Sequence, residues 1–316
     1  MIIQTGMRTD IPAFYSKWFL NRLKAGYVMV RNPYYPNSVS KYELNPETVD
    51  LITFCTKNPG PVLKNEELMN CLKKYHQWWF VTLTPYGKEI EPNVPPKAEV
   101  ADSIITLGKI LGSDRVGWRY DPIFVSEKYT LEYHLKAFEN IAKRLEGFTK
   151  TAEISFIDLY PKVKRNFPEV REVTKEERLY LGERFVKIAR NHGMVLKTCA
   201  EGNELKIFGA DCSGCQTVDV LEKACGEKLK IPKKTQGRKE CFCFMNGDIG
   251  AYNSCGHLCK YCYANSDFQK VMENMKLHNC ESPLLIGELK ENDKIFSTPQ
   301  KSWIVKDKEN TQTLLF

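Results

Sequence analysis

Short apolar, β-prone runs alternate with longer amphipathic ones through the first two hundred residues, and this alternation confines the chain to parallel strands joined by crossover helices. The predicted strands are Ile2 to Gln4, Leu51 to Cys55, Trp78 to Leu83, Val116 to Tyr120, Ala152 to Ile157 and Val195 to Thr198. Each is short and mostly apolar, as a buried parallel strand is. Between them, Pro12 to Lys24, Pro61 to Tyr75, Pro96 to Leu111, Leu131 to Leu145 and Lys175 to His192 carry apolar residues at helical spacing, Phe14, Trp18, Leu20 and Leu23 among them. Several open with a proline in the first turn, where its missing N–H costs no intrahelical bond. Runs at Tyr27 to Arg31 and Ser38 to Tyr42 bracket Asn32-Pro33 and Pro36-Asn37 and read as a small hairpin. The expected fold is α/β, a partial or complete (β/α)6 barrel over residues 1–200, onto which a Cys-rich, cluster-binding segment, 201–316, closes.

In such folds the reactive groups gather on loops after the carboxyl ends of the strands. Here those loops are polar: Thr5-Gly-Met-Arg-Thr-Asp10, Thr56-Lys-Asn-Pro59, Thr84 to Glu91, Arg119-Tyr-Asp-Pro122, Asp158 to Asn166 and Cys199-Ala-Glu201. Any one of them is ordinary, and Asp10 and Asp121 suit helix caps. Together they would bring charge and amide groups to one rim, as a substrate or cofactor pocket requires.

Composition narrows the setting. With 316 residues, 42% of them hydrophobic, the chain can bury a large core. It has no run of eighteen apolar residues, and its first residues lack the charged head and apolar stretch of a secretion signal, so a cytoplasmic protein without membrane contact is expected. Twelve cysteines in that setting point to reduced thiols and metal ligation rather than disulfides. Part of the net charge of +7 lies in Lys228 to Lys239, a basic run that reads as a solvated linker and permits a nucleic-acid partner without requiring one.

Near the end of the chain, Cys255, Cys259 and Cys262 stand as CxxxCxxC. Iron–sulfur clusters are normally held by four cysteines, so a compact triplet leaves one iron open to a ligand. Zinc with a fourth ligand from elsewhere is the competing reading. The triplet, with Tyr261 before its last cysteine, resembles the signature of radical S-adenosylmethionine enzymes. That resemblance implies a [4Fe-4S] cluster, S-adenosylmethionine as cofactor with Tyr261 against its adenine, and a reductase such as flavodoxin or ferredoxin as partner. The Cys-Tyr-Ala-Asn ending is also similar to the cluster motif of spore photoproduct lyases, which repair DNA. Such enzymes usually carry the triplet after the first barrel strand; here it follows the sixth, which implies a permuted barrel.

Met7-Arg-Thr-Asp-Ile-Pro-Ala-Phe-Tyr15, Arg31-Asn-Pro33, Thr56-Lys-Asn-Pro59, Trp118-Arg-Tyr-Asp-Pro122, Ile154 to Tyr160 and Asp248 to Asn265 together resemble the family called domain of unknown function 1848. Cys199, the CxxC of Cys212 and Cys215, and the CxC of Cys241 and Cys243 offer a second iron–sulfur or zinc site, and the spacing does not choose the metal. The expected set is Cys199, Cys215, Cys241 and Cys243, because the stretch around Cys215 is closer to that family's usual cysteine position than Cys212 is. Cys55, Cys71, Cys225 and Cys280 read as packing residues, His257 as a surface residue, and Trp78 and Trp79 as core, while Tyr34 and Tyr35 could stack on bases. The function expected is a radical enzyme acting on an unknown substrate, with Arg8, Lys57, Arg119, Asp121 and Glu201 lining the pocket. A zinc-stabilised nucleic-acid-binding protein is the alternative.

Overall fold

A computed structural model describes residues 1–232, 241, 243–244, 247–297 and 299–305, so the basic run lies outside the described residues from position 233 onward. In chain order the elements are β1 (Ile2–Gln4), α1 (Ile11–Phe14), α2 (Ser16–Ala25), β2 (Tyr27–Arg31), β3 (Ser38–Glu43), β4 (Leu51–Thr56), α3 (Gly60–Leu63) and α4 (Glu66–Leu72). There follow β5 (Gln77–Thr82), α5 (Lys97–Leu111), β6 (Val116–Ile123), α6 (Leu131–Leu145), β7 (Thr151–Phe156), α7 (Pro161–Asn166), α8 (Lys175–Asn191) and β8 (Val195–Thr198). The C-terminal part adds α9 (Val218–Cys225), α10 (Phe268–Lys276) and β9 (Lys294–Ser297), none of which the sequence pattern predicts.

Six strands form a parallel sheet in the order β1-β4-β5-β6-β7-β8, and the expected hairpin forms a second sheet in the order β2-β3-β9. The fold is thus mixed α/β. Two predicted helices are each divided. Tyr15, at φ −131°, ends α1 before α2 begins, and Asn65 starts α4 afresh by accepting from the Leu68 amide at 3.0 Å. A further difference concerns Arg119 and Asp121, which lie within β6 rather than on a loop after it; Asp121 therefore caps no helix.

The two faces of the large sheet differ in chemistry. Trp118 and Tyr120 pack on Phe138 of α6, Tyr120 also meets Phe185 of α8, and Phe54 stacks on Trp79 at 4.0 Å. On the other face the register pairs Thr82 with Arg119, Arg119 with Glu153, and Glu153 with Lys197. Paired residues of neighbouring strands share a face, so these four make one polar row across the sheet. Glu153 and Lys197 are buried.

Segments from the C-terminal part flank both ends of the strand order. Asp211 bridges Lys197 beside β8, and Asp248 bridges Gln4 beside β1. The Phe244 amide donates to the Gln216 carbonyl at 2.9 Å, joining the two flanking segments. On the β1 side the loop after the strand lies flat on β4. A Cβ on Gly6 would stand 1.9 Å from the Cys55 carbonyl oxygen and 2.7 Å from its Cβ. Backbone cannot yield as a side-chain end can, so Gly6→Ala is expected to lower stability by about 1–3 kcal/mol, as overpacking does. Urea unfolding of the two proteins measures the difference, and an unchanged midpoint would show that this approach is not needed.

Candidate active site at the carboxyl ends of the strands

Cys255, Cys259 and Cys262 occupy one loop that folds back over the ends of β1, β4 and β5. Burial pushes all three thiols up; neighbouring Cys262 and Cys259 add to the rise at Cys255, while Lys57 opposes it at Cys259 and Cys262. Leu258 and Asn253 take left-handed backbone angles, φ 56° and 54°, which non-glycine residues seldom adopt. Ala200, next to Cys199, is the third such residue among those described, at φ 58°. Strained backbone of this kind persists where surrounding bonds over-determine it. Here the Asn253 carboxamide oxygen accepts from the Ser266 amide at 2.5 Å, and the Asn265 side-chain Nδ2 donates to the Cys255 carbonyl at 2.9 Å.

Two buried carboxylates anchor the loop to the sheet. Asp10 caps α1 through the Ala13 amide, as expected, and also accepts from the Thr56 hydroxyl at 2.7 Å, the Lys57 amide at 2.8 Å and His257 Nε2 at 2.9 Å. His257 is thus 2% exposed and not the surface residue its loop position suggested; a carboxylate inside the fold holds it there. Glu91 accepts from Thr84 at 2.7 Å, Lys57 Nζ at 2.9 Å, Lys97 Nζ and the Tyr261 hydroxyl. Burial alone would raise its pKa, but Lys57 and Lys97 with these hydrogen bonds hold it down at about 2. Further bonds run from the Asn93 side chain to the Gly256 carbonyl, 2.7 Å, and from the Lys260 amide to the Ile90 carbonyl, 3.0 Å.

The other expected pocket residues lie along the same rim. Arg119 pairs with Asp121, donates to Cys55 Sγ at 3.3 Å and lies over the Phe80 ring. Cys55 packs against the core, as expected, and its sulfur is in addition a polar contact of the rim. Asp121 is raised by burial against the pull of Arg119, and it also senses Cys199, Lys57 and Asp158. Arg8 reaches the C-terminal segment, 3.5 Å from the Gly250 carbonyl and 4.0 Å from Asp248. Glu201 accepts from the Ser155 hydroxyl and Phe156 amide, both at 2.8 Å, and from Arg178 at 3.3 Å; burial lifts it to about 7.

Beside β8, Cys215 Sγ stands 3.5 Å from Cys199 Sγ and 3.1 Å from Cys243 Sγ, while the Cys212 thiol faces the Ala210 carbonyl instead. Arg119 senses both Cys199 and Cys215, and Lys57 senses Cys259. Among the described residues, no three His, Cys, Asp or Glu side chains already stand in the arrangement of a single-ion site. The Cys215–Cys243 separation is tighter than the edge of about 3.8 Å that a zinc tetrahedron with 2.3 Å bonds would have.

A family model spans residues 2–264, from β1 to just past Cys262, and so covers the whole large sheet and both cysteine sets. The chain belongs to the family Domain of unknown function (DUF1848). No curated protein matches it. Among the described residues, no helix of this DUF1848 chain is long and apolar enough to cross a membrane. The remaining cysteines are peripheral to the rim: Cys225 faces the Asp50 carbonyl and Cys280 the Glu281 side chain, and Cys71 is half-buried. Trp78 and Trp79 are both core, as expected, Trp78 with no partner for its indole N–H; Tyr34 and Tyr35 are exposed.

Sequence reasoning missed Glu91, Glu153, Lys197, Asp248 and the site role of His257. The available signal was inside the strands: Thr-Ala-Glu-Ile-Ser-Phe and Val-Leu-Lys-Thr each set one charged residue, Glu153 or Lys197, in a short β-prone run, and Thr151, Glu153 and Ser155 alternate with apolar neighbours. Glu153 is the clearest case. Its carboxyl oxygens lack a hydrogen bond, the Thr151 hydroxyl approaching without bonding geometry, and burial lifts it to about 8 against Thr151, Lys197 and Arg119. A raised carboxyl favours the fold while protonated, so its contribution is full below the unfolded pKa of about 4.3 and falls away as pH rises through about 8. Glu153→Gln should therefore gain melting temperature relative to the parent as pH goes from 5 to 9, and parallel melting curves across that range would refute the placement.

Proposed function

We propose that this DUF1848 chain is a radical S-adenosylmethionine iron–sulfur enzyme that acts on a substrate held over the strand ends. The observation that carries the reading is the attachment of a three-thiol loop to the polar rim through Asp10–His257 and Glu91–Tyr261. The donor set fits a cluster: three thiols lie in one loop, Cys259 buried and Cys255 and Cys262 half-buried, and at Cys262 the charges of Lys57 and Lys162 oppose the rise that burial causes. Cys255, Cys259 and Cys262 would hold a [4Fe-4S] cluster with one iron left for the cofactor. When bound, that group supplies the electron for reductive cleavage of S-adenosylmethionine, the source of a hydrogen-abstracting radical.

The chain's own residues position and exclude. Lys57 and Lys97 keep Glu91 ionised, and Glu91 holds Tyr261 by its hydroxyl while Lys57 Nζ stands 5.4 Å from its ring centroid, so the tyrosine that would meet the adenine is fixed in place. Arg119 presents a planar fork of donors to a carboxylate of cofactor or substrate, and Asp121 orients that fork. Arg8 and Glu201 lie at two further points of the rim, beside Gly250 and after β8. We read the fold as a (β/α)6 barrel whose ring is completed through the 211–216 segment and residues 244, 247 and 248, a permuted form of the usual radical-enzyme order. Residues 1–200 make the barrel and 201–316 the cluster-bearing part. A small reductase such as flavodoxin or ferredoxin would deliver the electron.

Replacing Cys255, Cys259 and Cys262 together with alanine should abolish formation of deoxyadenosine from S-adenosylmethionine under dithionite, with far-ultraviolet circular dichroism retained. Deoxyadenosine at the parent rate would end the proposal. Arg119→Lys should lower that rate by about tenfold, equivalent to about 1.4 kcal/mol of transition-state stabilisation. A large drop in melting temperature with full activity in the folded fraction would assign Arg119 to stability alone.

A further inference from the structure

We propose that Cys199, Cys215, Cys241 and Cys243 form a tetrathiolate site for one zinc ion, placed at the seam between the last strand of the large sheet and the segment that flanks its first. The inference is independent of the reading of the triplet.

Three lines of geometry carry it. The first is convergence from separate parts of the chain. Cys199 follows β8, Cys215 lies between Asp211 and α9, and Cys243 precedes the segment that bridges Gln4, yet Cys215 Sγ is 3.5 Å from Cys199 Sγ and 3.1 Å from Cys243 Sγ. Cys241 lies close enough to Cys243 to hydrogen-bond with its thiol. The second is the backbone around Cys243, whose sulfur accepts from the Cys215 amide at 3.3 Å and the Gln216 amide at 3.2 Å. Amide donors to sulfur are the outer-shell bonds that orient a thiolate ligand and offset its charge. The third is burial, since Cys215, Cys241 and Cys243 are each under 9% exposed. A closed set of four sulfurs is the structural form of a zinc site.

The spacing selects the metal. One zinc ion with 2.3 Å bonds holds its sulfurs about 3.8 Å apart, so the Cys215–Cys199 and Cys215–Cys243 pairs need to open by about 0.3 and about 0.7 Å. A cubane cluster binds each cysteine to a different iron and holds the four sulfurs much farther apart. The position gives the ion a task. The same segments bond to β8 at Asp211 and to β1 at Gly247 and Phe244, so one ion would bind together the two flanks of the seam.

The test uses the full chain carrying the triple alanine change at Cys255, Cys259 and Cys262, so that any metal found belongs to the second set. Purified anaerobically, it should contain about one zinc per chain and negligible iron. Exchange with cobalt should give the intense visible bands of a tetrahedral thiolate site. In the same background Cys215→Ser and Cys243→Ser should each reduce retained zinc at least tenfold, while Cys212→Ser should leave it unchanged. About four irons with broad iron–sulfur absorption, no retained metal, or zinc indifferent to both serine changes would each overturn the proposal. Should either serine variant not fold, the cobalt spectrum decides, and weak octahedral bands count against the site. Failure of S-adenosylmethionine cleavage by the parent would leave this result untouched.

Discussion

A charged row buried across a parallel sheet is the constraint that the rest of this structure answers. Arg119, Glu153 and Lys197 sit in register on three neighbouring strands, where an unpaired charge would cost several kcal/mol. Each is resolved differently. Arg119 takes Asp121 two residues along its own strand, Glu153 keeps its proton, and Lys197 takes Asp211 from the flanking segment. The last of these ties the C-terminal part of the chain to the sheet, because the anion that Lys197 needs is supplied from outside it.

The opposite end of the sheet is settled by two carboxylates. Asp10 and Glu91 each collect donors from two or more elements, and each gives one of its bonds to the triplet loop. A loop held only by its own turns keeps much of its freedom, whereas one bonded to strand ends inherits their rigidity. The left-handed angles at Asn253 and Leu258 are the conformational expression of that hold.

Much of the architecture was legible beforehand. Ile2–Gln4 and Val195–Thr198 were read with the boundaries the structure has, and Leu131–Leu145 likewise, since each is a short β-prone run or a long periodic one with clear stops. The helix divisions at Tyr15 and Asn65 were not legible, because apolar spacing continues across both and the turn is broken only locally, by the backbone angle at Tyr15 and by the side-chain cap at Asn65. The site was legible in part. The cysteine spacings are explicit in the chain, and the polar character of the strand-end loops is too. That Glu91 would gather Lys57, Lys97 and Tyr261 could not be seen, for those residues meet only through the fold. His257 misled for the same reason, since its burial depends on Asp10, which lies at the other end of the sequence.

The bonds that close the seam have a consequence for how the protein is made. The Gln4 side chain reaches the Phe244 carbonyl across 240 residues of sequence, so β1 lacks this outer neighbour until nearly the whole family span has been synthesised. Contacts of such long range carry the greatest loop-closure entropy and form late. Until they do, the cysteines near positions 215 and 243 belong to an open cleft, and the triplet loop has not yet met Asp10. Folding thus has a built-in order: the thiols stay accessible while the chain is incomplete, and the final pairing of the first strand encloses them.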